Sequence, residues 1–70
     1  MKNIIISFKL DNHKLVYLRR LDIYDEPIIT SNKENARRFS KHELERLVKI
    51  LTKKYEGRIT DIKPLKDEEQ

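Results

Sequence analysis

The chain has 70 residues, 16 Lys and Arg against 12 Asp and Glu, 37% hydrophobic residues, one Gly, and neither Cys nor Trp. A chain of this length forms one small domain and buries only about 60% of its unfolded surface, so its core is marginal. Disulfides are excluded and structural metal ligands are scarce, which leaves self-association as the available staple.

The longest apolar stretch near the amino terminus is Ile4, Ile5 and Ile6, followed by Ser7 and Lys9. That is far short of the roughly 18 residues a membrane span needs, and it lacks the h-region of a secretory signal. No membrane association is expected, and with no cysteines a cytoplasmic location is expected.

Ile4, Ile6, Phe8 and Leu10 alternate with Asn3, Ile5, Ser7 and Lys9, the period of a half-buried strand over residues 3–10. Asp11, Asn12 and His13 supply a turn into a second strand over 14–23. An even loop would set Phe8 opposite Tyr17 and Arg19 among the core side chains. An odd loop sets Phe8 opposite Val16 and Ile6 opposite Leu18, and is the register expected. It leaves Ile5, Leu15, Tyr17 and Leu21 on the other face, more apolar surface than a monomer exposes.

Pro27 interrupts the pattern, so residues 28–30 form only a short edge strand. Asn32 can cap a single turn carrying Ala36 and Arg37. Ser40 and Glu43 then match a capping box, and Phe39 with Leu44 a hydrophobic staple, which together specify a helix over 41–55. Leu44, Leu47, Val48, Leu51 and Tyr55 form its apolar stripe. Gly57 stands where a left-handed helix stop is wanted. Residues 58–64 read as a last strand, with Ile59 and Ile62 out of phase as at a bulge. The expected architecture is α+β: a small antiparallel sheet of three to four strands with one helix packed on one face, in the order β-β-(β)-α-β. It forms a single domain over 1–65, and residues 66–70 form a charged tail.

Catalysis needs a nucleophile, base or metal gathered in a pocket. His13 in the turn and His42 in the first helical turn have no partner at ligand spacing, and both are read as solvated. Asp22, Asp25 and Glu26 lack the alternation and central glycine of a calcium loop. No enzyme activity and no cofactor are expected.

Residues 1–65 carry a net charge of +6 and residues 66–70 one of −2. Arg37, Arg38, Lys41, Arg46, Lys49, Lys53, Lys54 and Arg58 lie on or beside the helix and form a candidate basic surface. Such a surface attracts phosphates, although Glu45 and Glu56 interrupt it and Glu45 is spaced to pair with Lys49.

The hairpin, then Thr30, Ala36 and Phe39, then Glu43 opening an amphipathic helix, then Gly57 and a closing strand, resemble small phage and prophage proteins of Gram-positive bacteria. They resemble the YopT-like family of Bacillus prophages in particular, over residues 3–65. The resemblance implies a homodimer of subunits with three strands and one helix, and it implies no activity or functional residues. The function expected is therefore a non-enzymatic protein-interaction module acting as a homodimer, with a host protein as a further partner. Its candidate dimer patch comprises Ile5, Tyr17 and Leu21 with Ile23, Tyr24, Ile28 and Ile29. The alternative is nucleic-acid binding through the basic helix surface.

Overall fold

A computed structural model describes residues 2–11 and 14–66. Four strands and one helix follow in the order β1 (Ile4–Leu10), β2 (Lys14–Leu21), β3 (Pro27–Thr30), a 3-10 turn (Lys33–Asn35), α1 (Lys41–Lys54) and β4 (Ile59–Lys66). The sheet is antiparallel with strand order β3-β2-β1-β4. This is the α+β arrangement expected, with four strands rather than the three that the prophage resemblance implies. Asn12 and His13 of the first turn, and residues 67–70 of the expected tail, lie outside the described residues. Lys66, assigned to that tail from sequence, is the last residue of β4.

The first hairpin has the odd-loop register, with Phe8 opposite Val16 and Ser7 opposite Tyr17. Phe8, Ile6, Val16 and Leu18 therefore share the face on which α1 packs. There they form one buried cluster with Phe39, Leu47 and Leu51. Leu44 and Tyr55 complete the helix side of the cluster, and the Tyr55 ring lies 6.1 Å from that of Phe8, centroid to centroid.

Two bulges reset which residues face the helix. Between β1 and β4 the register slips after Ser7, so that Asp61 and Ile62 both stand opposite Phe8, and Asp61 adopts φ +52°. Aspartate tolerates this left-handed conformation better than most residues. The slip brings both Ile59 and Ile62 onto the core, which accounts for their spacing of three. In β2 the register slips between Leu18 and Arg20, leaving Arg19 as the extra residue. The slip corrects the expected facing of Leu21: it turns to the helix side and packs on the core cluster.

The helix start is built as its sequence specifies. A capping box forms at Ser40: its N–H donates to Glu43 Oε1 at 2.8 Å and its hydroxyl to the same oxygen at 3.2 Å. Phe39 also exchanges two backbone hydrogen bonds with Ile4, at 3.0 and 2.7 Å. This bridge docks the residue before the cap against the start of β1. At the other end the Arg58 N–H donates to the Tyr55 carbonyl at 2.8 Å, and Gly57 between them has φ +78°. A Cβ at Gly57 would touch nothing, so its φ alone is what calls for glycine. Asn32 caps the 3-10 turn, its Oδ1 accepting from the Glu34 N–H at 3.1 Å.

Candidate functional site

The β2–β3 connection is a tight turn whose geometry is over-determined. The Asp22 carboxylate accepts the N–H groups of Tyr24 and Glu26 at 2.8 and 2.9 Å. The Asp25 N–H donates to the Asp22 carbonyl, and the Asp22 N–H to the Glu26 carbonyl, both at 3.0 Å. Asp25 takes φ +60°, the left-handed residue that closes a three-residue hairpin loop. Two ion pairs fasten this turn to α1, Asp25 with Arg46 at 3.2 Å and Glu26 with Lys54. The pairing with Glu26, hydrogen bond first and charge second, raises the Lys54 ammonium above its ordinary pKa. The acidic cluster of 22, 25 and 26 thus shapes a turn, and no metal-binding cluster occurs among the described residues.

At the tip of this turn Ile23 and Tyr24 are 87% and 77% exposed. Tyr24 also borders a hollow of about 360 Å³ between the turn and α1, lined with it by Ile50 and Lys53. A second hollow, of about 420 Å³, opens at the far end of the β2–β3 edge, with Leu10, Val16 and Ile29 as its apolar lining and Thr30 and Ser31 at its side.

The expected dimer patch is not one surface. Leu21 and Ile29 pack on the core cluster, because the Arg19 bulge shifts the phase of β2 and Ile29 pairs with Leu18. Ile5 does face away from the helix, yet it is 0% exposed. It is buried within its own chain, with Leu65 of β4 directly opposite it. Of the patch, Ile23 and Tyr24 are exposed, while Tyr17 and Ile28 are half-buried on the face opposite the helix.

The expected basic helix surface is dispersed as well. Arg46 and Lys54 are bound to the turn. Arg58 is bound to Asp11, through Nε at 2.9 Å and Nη2 at 2.8 Å. Arg37 lies over the Phe39 ring at 5.9 Å, and Arg38 donates to the Ala36 carbonyl at 3.4 Å. Lys41, Lys49 and Lys53 are exposed on α1. The expected Glu45–Lys49 ion pair is absent among the described residues, and Glu43, which shares the helix with those lysines, is engaged by Ser40 and Lys2.

Sequence reasoning passed over three exposed basic residues of the sheet, Arg19, Arg20 and Lys63, which stand there beside Lys9, Lys14 and Lys66. Two adjacent arginines inside an alternating strand were the available signal. The helices among the described residues include none long and apolar enough to cross a membrane. A scan of protein-family models finds no match to this chain, and searches of curated proteins and of solved structures return no significant match.

Proposed function

We propose that the chain is a non-catalytic protein-interaction module that docks through the Ile23–Tyr24 turn, and that its partner is a second copy of itself. One observation carries this reading: a turn held by an aspartate cap, a left-handed aspartate and two ion pairs presents two large apolar side chains to water. Such exposure adds nothing to the stability of a monomer, whereas a pre-organised aromatic anchor is what a binding hot spot requires.

The second copy is supported by the layout of the β3 edge. β3 is a terminal strand of the sheet, with the turn at one end and, at the other, the hollow that Ile29, Thr30 and Ser31 share with Leu10, Asp11, Lys14 and Val16. A two-fold axis beside the free edge of β3 lays the two β3 strands antiparallel, so each turn tip meets the other copy's hollow in a closed, self-complementary contact. Pairing also removes an open sheet edge. A homodimer is the assembly implied by the prophage resemblance too.

Light scattering at several concentrations tests this. A mass near twice 8.5 kDa, lost in Ile23→Asp and Tyr24→Ser variants that keep their fold, supports it. A mass near 8.5 kDa throughout the micromolar range removes the second copy as partner.

A further inference from the structure

We infer that the sheet face opposite α1 binds the phosphates of single-stranded nucleic acid. The register places Lys63, Ser7, Tyr17 and Thr30 in one row across all four strands, because Ser7 pairs with Lys63 on one side and Tyr17 on the other, and Tyr17 pairs with Thr30. Phe8 points into the core, so this row points away from it. Ser7 is small and buried, its hydroxyl donating to the Lys63 carbonyl at 3.3 Å, and half-buried Tyr17 and exposed Lys63 flank it. Arg20 pairs with Ile28, next to core-facing Ile29, and so belongs to the same face; Arg19, following core-facing Leu18, joins it at the bulge.

Charge distribution selects this face over the helix. Asp61 is the acid on this side of β4 and it pairs with Lys9 at 3.9 Å. Arg19, Arg20 and Lys63 have no acidic partner among the described residues. On α1, by contrast, Arg46 and Lys54 are held in ion pairs with Asp25 and Glu26, and exposed Lys41, Lys49 and Lys53 share the helix with Glu43 and Glu45. Arg19, Arg20 and Lys63 therefore border one half-buried aromatic ring, Tyr17, on the face opposite α1. Cations on β2 and β4, strands about 10 Å apart, with a ring on β2 beside them suit a strand whose phosphates lie on the cations and whose base stacks on the ring. A duplex, its bases already stacked, cannot use Tyr17.

The test is fluorescence anisotropy of the whole chain with labelled oligo(dT) and oligo(U) of about 12 nucleotides, with a duplex of the same length as comparison. Three phosphate contacts on a single strand give an affinity that falls roughly twentyfold between about 50 and 200 mM salt. Arg19→Glu with Arg20→Glu, and separately Lys63→Glu, should each weaken binding at least tenfold, and Tyr17→Leu should weaken it several-fold. Lys49→Glu with Lys53→Glu on the helix should leave it unchanged. If the charge reversals disturb the circular dichroism spectrum, Arg19→Gln with Arg20→Gln reads the same loss at smaller amplitude. Absence of binding at low salt, equal affinity for the duplex, or a loss seen in the helix variant and not in the sheet variants overturns the inference.

Discussion

Arg58 holds Asp11 by both side chain and backbone. The guanidinium makes two bonds to the Asp11 carboxylate, at 2.9 and 2.8 Å, while the Arg58 carbonyl accepts the Asp11 N–H at 2.7 Å. The first turn of the sheet is thereby fastened to the point where the chain leaves α1 for β4. The paired carboxylate raises the Arg58 pKa above its already high ordinary value, through the hydrogen bond first and the charge second.

Asp11 sits at φ +56°, so two effects are separable there. Asp11→Gly and Asp11→Ala both lose the pairing with Arg58, but only alanine also strains the left-handed backbone, by about 1 kcal/mol. Urea unfolding should therefore rank wild type above or near the glycine variant and the alanine variant below both. Equal stability of the two variants would show that the turn relaxes when its carboxylate is removed.

Leu47 is 3% exposed at the centre of the helix–sheet cluster. Leu47→Ala should cost about 2–5 kcal/mol, the transfer and cavity terms together, which is enough to unfold a domain of this size. An unaltered melting temperature in a differential scanning experiment would contradict the packing described.

The Arg19 bulge separates two leucines of the same strand. Leu21→Lys buries a charge against the core and should destabilise by several kcal/mol, whereas Leu15→Lys, at a side chain 48% exposed, should stay within about 0.5 kcal/mol of wild type. A register without the bulge puts both leucines on the face away from the helix and predicts similar effects, so comparing the two chemical-denaturation midpoints decides it.

At the helix start, Ser40→Ala should cost about 1 kcal/mol. The Glu43 carboxyl is held below its ordinary pKa, chiefly by the Ser40 backbone N–H. A lowered folded-state pKa means that the contribution is complete above the ordinary carboxylate value of about 4.5, and is lost as pH falls through the lower folded value. The stability difference between wild type and Glu43→Gln should accordingly be widest at neutral pH and close towards pH 3. A difference independent of pH would place the carboxylate's effect outside the cap.

Local chemistry was legible in the residues. The alternation over Ile4, Ile6, Phe8 and Leu10, the Ser40–Glu43 box, the Gly57 stop and the Asn32 cap each act within a few residues, so each is determined by the neighbouring side chains and backbone. The odd hairpin register was legible too, since the alternative would have buried Arg19. Even the second bulge had its mark in the adjacent polar pair Arg19–Arg20 before Leu21.

Three-dimensional packing decided what is exposed. Ile5 is alternated away from the helix and would stand in water on a bare sheet, but it is fully buried, with Leu65 of the paired β4 strand opposite it. Arg46, Lys54 and Arg58 read as part of a basic helix surface, because their acidic partners lie 21, 28 and 47 residues away along the chain. Charge neutralisation at such separations depends on which elements meet, and neither composition nor periodicity encodes that meeting. The exposure of Arg19, Arg20 and Lys63 on the opposite sheet face and that of Ile23 and Tyr24 follow from the same cause: the strand order and two one-residue slips of register assign each side chain its surroundings.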